Sequence, residues 1–557
     1  MKNNKFIIAL LFIASLLSSC EDELELAPLD TISDSKFWKV KEDFEKAAND
    51  FYHSLGTHGG GALDRNSDTY VGNVTDPVSG GTYIASGEDS NWDNSYEMIR
   101  STSRLLENYE TATEIQADID RYAAEARFFR ARAYFTLVTR FGDVPLIKRV
   151  LDIDSEELYA PRAPRADVVA FIFEDLDWAA SKLPNESGLA ATEKGRITRG
   201  AALALKSRVA LFEGTWAKYH GAGGSDAYLT KCIEASQQLM ALNEYALYEH
   251  SGGPEKSYYN LFIEGGTGSS ENILVRKYSE ELNIIHNTTR AVDQHNSSPT
   301  KLLADMYLCS DGLPIDKSPL FQGYDLRASE FESRDPRMSQ TIMIPGVPVI
   351  YSGYSRLYPV IIGSGTNGPT KSGYLPYKFQ SDTEIAGVTG RSSYDYIEIR
   401  LGEIYLNLAE AIIEKNGAIT DSELDNTINK LRDRAGMPHL TNDFVTANGL
   451  DMKQEIRRER TVELAAEGFR FNDLRRWKEV ENALVKSLLG VKFVGTEWPT
   501  IDPNDKVVVG VDLQVDANGF VIADDASNRQ FQQKHYLFPL PLNQLQLNTT
   551  LTQNPDW

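Results

Sequence analysis

Apolar residues recur three and four positions apart through long stretches of the chain, with polar residues filling the gaps. Phe44, Ala48, Phe51 and Leu55 form one such stripe, and Tyr122, Ala126, Phe129, Ala133 and Leu137 form another; this is the spacing of a helix that buries one face. The second stripe runs into Gly142 and Pro145, a residue able to take the left-handed cap conformation and then one that cannot continue a helix. Ala202, Leu205, Val209, Phe212 and Trp216 predict a third helix, and Tyr228 to Leu242 a fourth close behind it. The pattern returns with Leu401, Ile404, Leu408 and Ala411, then with Leu424, Ile428, Leu431 and Ala435 before Gly436 and Pro438. Closely spaced pairs of this kind predict helical hairpins of a tetratricopeptide-like scaffold, although the repeat signature of roughly 34 residues is missing.

Between Ser251 and Tyr396 the texture changes to glycine, proline and tyrosine with short apolar runs, Ile273-Leu274-Val275 and Met343 to Val349 among them. An unstructured loop of that length is improbable in a compact domain, so short strands and one or two helices are expected, one near Lys301 to Leu308. Beyond Lys486 the β-branched run Lys506 to Val511 predicts a strand and Asp516-Ala517-Asn518-Gly519 a turn, which fails the calcium-loop spacing. The resulting division is 1–19 signal peptide, 20–34 tether, 35–250 first part of a helical scaffold, 251–396 loop-rich insert, 397–485 second part of the scaffold and 486–557 strand and turn.

The N-terminus changes the picture. Lys2 and Lys5 precede an apolar run from Phe6 to Leu17, short of the roughly 20 residues that span a bilayer and suited to a secretory signal. Leu17-Ser18-Ser19-Cys20 resembles a bacterial lipobox, which makes Cys20 the lipidated first residue of the mature protein, held firmly only if several acyl chains are attached. Glu21-Asp22-Glu23 resembles the surface-export signal of Bacteroidetes lipoproteins. The 557-residue chain carries a net charge of -23 and a pI near 4.9, and it has no basic stripe, which argues against nucleic acid as a partner. Cys20, Cys232 and Cys309 are too few and too scattered for a disulfide framework or a zinc site; Cys232 and Cys309 are expected to be buried free thiols.

Arg127 to Tyr134 with Phe141-Gly142-Asp143-Val144-Pro145-Leu146, Arg400 to Ala411, Glu459 to Trp477, and the closing Phe538-Pro539-Leu540-Pro541 and Gln553-Asn554-Pro555 together resemble the SusD/RagB family. The resemblance covers the whole chain. It implies a mainly α fold, with tetratricopeptide-like helix pairs supporting a loop-rich ligand-binding face with short strands. It also implies a cell-surface lipoprotein at the outer membrane that captures nutrient oligosaccharide for a SusC-like TonB-dependent transporter.

Glu459, Glu463 and Glu467 stand at i, i+4 and i+8, where like charges repel unless cations answer them. Two of them could in principle form a glycosidase pair, which needs carboxyls about 5 to 10 Å apart; an ion-pair network with the nearby arginines is the expected role, and Arg400, Glu403 and Glu410 are read the same way. No Ser/His/Asp order, phosphate loop or HExxH occurs, and the histidines lack ligand spacing, so no catalytic residue, cofactor or metal is expected. The remaining alternatives are a surface glycoside hydrolase using that glutamate stripe and a protein-interaction scaffold without a small ligand.

A sugar site wants aromatic platforms beside polar side chains. The family's sites draw on the loop after the first helix, the approach to the second and the central loops. The resemblance therefore points to Asp68, Tyr70, Asn73 and Tyr83, then to Trp92, which could equally be a core residue at a helix start. His286, Arg290 and Gln294 occupy one central polar loop, and Tyr351, Tyr354 and Tyr358 a glycine-rich one. Because sugars are usually neutral, affinity should depend little on salt, and a steep salt dependence would instead point to a charged ligand.

Overall fold

The computed structural model describes residues 37–58, 64–294, 297–345, 349–351, 354–356, 370–383, 388, 390–500 and 507–557. Cys20, the acidic trio and Tyr358 lie outside the described residues.

The fold is mainly α, and its scaffold is a succession of antiparallel helix pairs. Helix Ser90–Thr111 packs on Gln116–Phe141, which packs in turn on Arg165–Lys182; Arg199–His220 pairs with Ser225–Met240, and Leu401–Asn416 lies against both members of that pair and against Met452–Glu463. The first predicted stripe forms Lys41–Phe51, with Phe44, Ala48 and Phe51 buried against Gln116–Phe141. Helix Gln116–Phe141 buries residues around most of its circumference, Glu125 and Arg130 included, as a helix enclosed by neighbours on both sides must. Its buried charges are matched: Arg130 holds Asp175 through two bonds of 2.8 Å, and Glu125 meets Arg196 at 2.7 Å.

Helix ends follow their sequence signals. Asp89 caps Ser90–Thr111 by accepting from the backbone of Asn91, and Thr198 caps Arg199–His220 by accepting from Ala201. Gly142 has φ 79°, and a Cβ there would meet Leu537 at 2.9 Å, so the chain turns where only glycine fits.

Strands are few and short. The described residues hold four two-stranded antiparallel ladders. The ladder that matters for the site joins strand Asn272–Arg276 to strand Tyr396–Arg400; the first contains the predicted Ile273-Leu274-Val275 run, and Ile273 and Leu274 enter the main core. The central region also supplies helix Lys301–Met306, as expected, together with Pro254–Leu261 and Pro336–Thr341. A second core, with Tyr258, Leu303, Tyr307, Met338, Tyr374 and Val491, lies beneath it.

Three expectations need correction. The stripe Leu424 to Ala435 is two short helices, Asp421–Asp425 and Ile428–Ala435, broken at Thr427, whose backbone is not helical. The run ending at Val511 is not a strand: Val509 makes one isolated bridge, Gly510 turns the chain at φ 89°, and Val508, Val509 and Val511 are exposed, so β propensity had no surface to pack against. Glu467 does not continue the helical stripe of Glu459 and Glu463, because the helix ends at Glu463 and a turn with Ala466 at φ 63° follows. The Asp516–Gly519 turn forms as predicted, with the Gly519 N–H donating to the Asp516 carbonyl at 3.0 Å.

Candidate functional site

The charged motifs build the frame around the site. Glu463 is fully buried and takes bonds from Arg337, Arg400 and Arg434 at 2.6 to 2.9 Å. Burial pushes its carboxyl up, but Arg434, Arg400 and Arg337 together outweigh that and hold it well below the usual range. Glu467 is held by Arg400 and Lys378, Glu459 by Arg337 and Arg432, and Glu271 by Arg400 and Arg434. With Asp335 on Arg337, five carboxylates thus face five cations. The glutamates that a glycosidase would use are each engaged in this network.

A second network crosses the scaffold. Glu410 accepts from Arg476 at 2.5 Å and from the Trp477 indole at 2.6 Å, while Asp473 bridges Arg460 and Arg476. The C-terminal signature closes the same region: Asn554 donates to the carbonyls of Phe141 and Phe538, satisfying the end of the long helix. Arg400 to Ala411, Glu459 to Trp477 and the final segment are therefore parts of one ion-paired and hydrogen-bonded frame.

Inside this frame lies a polar cleft of about 390 Å³, within the roughly 300 to 1,000 Å³ of small-molecule sites. Arg132, Thr136 and Arg140 line it from Gln116–Phe141, four residues apart and so on one helix face. Arg208 lines it from Arg199–His220, Tyr396 and Glu398 from strand Tyr396–Arg400, and Phe469, Asn472 and Arg475 from the turn and short helix that follow Glu467. Asn66, from the loop after the first helix, and Asn91, at the start of the second, stand at its rim, Asn91 exposed and Asn66 half-buried. Phe135, Tyr396 and Phe469 are half-buried and supply apolar ring surface.

Most of the arginines are fixed in place. Arg132 meets Glu398 at 3.0 Å and also donates to the Ser54 carbonyl; Arg140 meets Asp89 at 2.7 Å and lies 3.6 Å over the Phe538 ring; Arg208 grips Glu403 through two bonds of 2.7 Å. Burial raises the Glu398 carboxyl, but Arg132 and Arg208 outweigh it and keep it low, so it is an anion that orients the two guanidiniums. Carboxamides, hydroxyls and rigid N–H forks beside half-buried rings can bind a polyhydroxylated ligand.

The residues expected from the sequence fall in several surroundings. Tyr83 stands behind this cleft: its ring stacks on Phe538 at 4.8 Å and its hydroxyl donates to the His535 carbonyl. Asp68 is buried in a two-pronged pair with Arg470, both bonds 2.8 Å, at the wall of a separate cleft of about 670 Å³. Tyr70 lies in strand Tyr70–Gly72 and belongs to the second core; Asn73 is exposed just beyond that strand. Trp92 is 5% exposed and packs edge-on against Phe141 at 5.3 Å, with its remaining surface on another hollow shared with Tyr96. His286 stacks on His58 at 4.0 Å, while Arg290 is half-buried in helix Thr288–Asp293 and Gln294 is exposed after it. The backbones of Tyr351 and Tyr354 pair in a hairpin; their side chains lie outside the described residues.

The cleft residues proper, Asn66, Asn91, Arg132, Thr136, Arg140 and Asn472, were not singled out from the sequence. The one signal available was the polar Arg132, Thr136 and Arg140 series, whose spacing of four places all three on one face of their helix.

Residues 271–557 match the SusD family, and residues 30–211 match the related family described as starch-binding and associating with the outer membrane. The chain belongs to the SusD family. It is 24% identical to SusD-like protein P2 of Formosa agariphila over 574 residues, covering 99% of each chain. Its fold superposes on a SusD-like protein of Bacteroides fragilis with a TM-score of 0.74, at 25% identity over 95% of this chain and 100% of that one. A SusD-like carbohydrate binding protein of the same species gives a TM-score of 0.74 at 24% identity, over 93% of this chain and 100% of that one. No described helix is long and apolar enough to cross a membrane. Cys232 and Cys309 are buried and free, as expected.

Proposed function

We propose that this SusD-family protein is a non-catalytic, surface-exposed lipoprotein of the outer membrane that captures an oligosaccharide and passes it to a SusC-like TonB-dependent transporter. The observation that carries the reading is the polar cleft, where the carboxamides of Asn66 and Asn91 at the rim and Asn472 on the wall surround the Arg132, Thr136 and Arg140 face and the half-buried Phe469 and Tyr396 rings. Asn66 and Asn91 come from the two N-terminal segments that the family resemblance points to, and Tyr396 comes from strand Tyr396–Arg400, at the end of the central region. The lipobox at Cys20 supports the anchor. A related protein of this fold that is itself a carbohydrate binding protein supports the ligand class.

The test is a screen of immobilised polysaccharides with the purified mature protein, followed by prolonged incubation with each bound glycan and a reducing-end assay. Retention on at least one polysaccharide with no new reducing ends is the expected outcome. Steady release of reducing ends would favour a hydrolase, and retention on no polysaccharide would count against glycan capture.

A further inference from the structure

We infer that the cleft takes an anionic saccharide, one bearing a carboxylate or sulfate, with Arg475 supplying the opposite charge; this rests on the reading of the cleft as a glycan site. Of the six guanidiniums that line the cleft, five are each answered by a different carboxylate. Arg475 has no carboxylate within ion-pair distance among the described residues. Glu467, the other acid on the wall, is committed to Arg400 and Lys378. The cleft therefore carries one positive charge in excess inside a chain whose net charge is -23.

Arg475 is only 2% exposed, and a buried charge is costly unless it is paired. Its described partners are dipoles without net charge: the Tyr536 carbonyl, the Thr139 carbonyl at 2.6 Å and the Asn472 side-chain oxygen at 3.1 Å. The Asn472 bond uses one of the two N–H groups on that terminal nitrogen, leaving a donor over. Arg140 lies on the same Phe538 ring, so two guanidiniums flank it. Burial lowers the Arg475 pKa, with Arg165 and Arg140 adding to the effect, to about 9. That is the condition of a cation lacking a counter-charge, and an anionic ligand group in the cleft would relieve it. A hydrogen bond to a charged group inside a shielded cleft also discriminates more sharply than one between neutral groups.

Matched ligands test this: calorimetric titration with an oligogalacturonide and its methyl ester, and with a sulfated galactan oligosaccharide and its desulfated form, beside an array of neutral polysaccharides. At least one acidic member should bind about tenfold more tightly than its neutral counterpart, and its affinity should fall as salt is raised. Arg475→Lys should keep much of that preference and Arg475→Gln should abolish it; if the glutamine variant fails to fold, the lysine variant and the salt dependence still decide. Equal affinity for charged and neutral partners would overturn the inference and leave glycan capture standing. A charge preference undiminished in Arg475→Gln would overturn the assignment to Arg475. Binding of neither kind by folded protein would overturn the underlying reading.

Discussion

The guanidinium of Arg400 reaches Glu463 twice, donating to a carboxylate oxygen at 2.6 Å and to the backbone carbonyl at 2.7 Å. Arg400 ends Tyr396–Arg400, the strand that presents Tyr396 and Glu398 to the cleft, and Glu463 ends helix Met452–Glu463. The same guanidinium also holds Glu467. Four more residues of helix would have carried Glu467 about 6 Å along the axis from Glu463; the turn at Ala466 instead keeps both carboxylates on one arginine and sets the course of the segment that carries Phe469, Asn472 and Arg475.

Glu463→Gln should therefore act on stability. It leaves Arg337, Arg400 and Arg434 without their shared anion, and breaking a buried pair from one side costs about 3 to 5 kcal/mol. Thermal or urea unfolding should register this loss, while glycan affinity measured below the transition stays close to that of the native protein. An unchanged midpoint with lost turnover of a glycan would point to catalysis instead.

Trp92→Ala and Asn91→Ala, neighbours in sequence, should behave oppositely. Trp92 packs in the core, so its removal should cost about 3 to 5 kcal/mol and lower the melting temperature by several degrees. Asn91 is exposed at the cleft rim, so its loss should leave the melting curve in place. Differential scanning calorimetry of the two variants separates these roles.

The helical scaffold was legible where burial is one-sided. Phe44, Ala48 and Phe51 repeat at the helix period because one face of their helix meets the core and the other meets water. Helix Arg165–Lys182 buries Val168, Val169, Phe171, Ile172 and Phe173 almost without interruption, so periodicity alone gives no face to recognise. The site was less legible for a different reason. Asn91, Arg132 and Asn472 line one cleft only through the packing of three helices, the third more than 300 residues beyond the other two, and apart from the Arg132, Thr136 and Arg140 spacing none carries a local mark of it. Trp92 shows the reverse case, since an aromatic at a helix start suits a ligand platform and a core equally well, and only the fold shows it 5% exposed at the edge of a hollow. Asp68 was conspicuous as an acid in the first loop, and it is Arg470, 402 positions away, that gives it a structural partner.

His58 and His286 predict an acid sensitivity. Their rings stack at 4.0 Å and both lie within 3.3 Å of the Tyr394 carbonyl. Burial, and for His58 the nearby His286, lowers their pKa values to about 3 and about 4, whereas an unfolded histidine titrates near 6.5. The unfolded chain thus binds more protons between those values, and stability is lost as pH falls through 6.5 towards the folded values. At about pH 5 the cost at His58 alone is about 2 kcal/mol. The drop in melting temperature between about pH 7.5 and pH 5 should shrink in His58→Phe; an equal drop would contradict this origin.

Cys20→Ala should remove the protein from the membrane fraction, and protease added to intact cells should digest the native protein. Replacing Glu21-Asp22-Glu23 by alanines should keep the lipid but reduce digestion. Continued membrane partition of Cys20→Ala would contradict the anchor.

The central claim is that the cleft between Gln116–Phe141 and the Phe469 to Arg476 segment holds the saccharide. It is tested most directly by calorimetric titration of the Asn66→Ala/Asn91→Ala double variant with the oligosaccharide that the native protein binds most tightly. Each lost hydrogen bond contributes about 1 kcal/mol, so binding should weaken at least about tenfold while the melting temperature stays within about a degree of the native value. Native affinity in the folded double variant would place the ligand elsewhere and contradict the account.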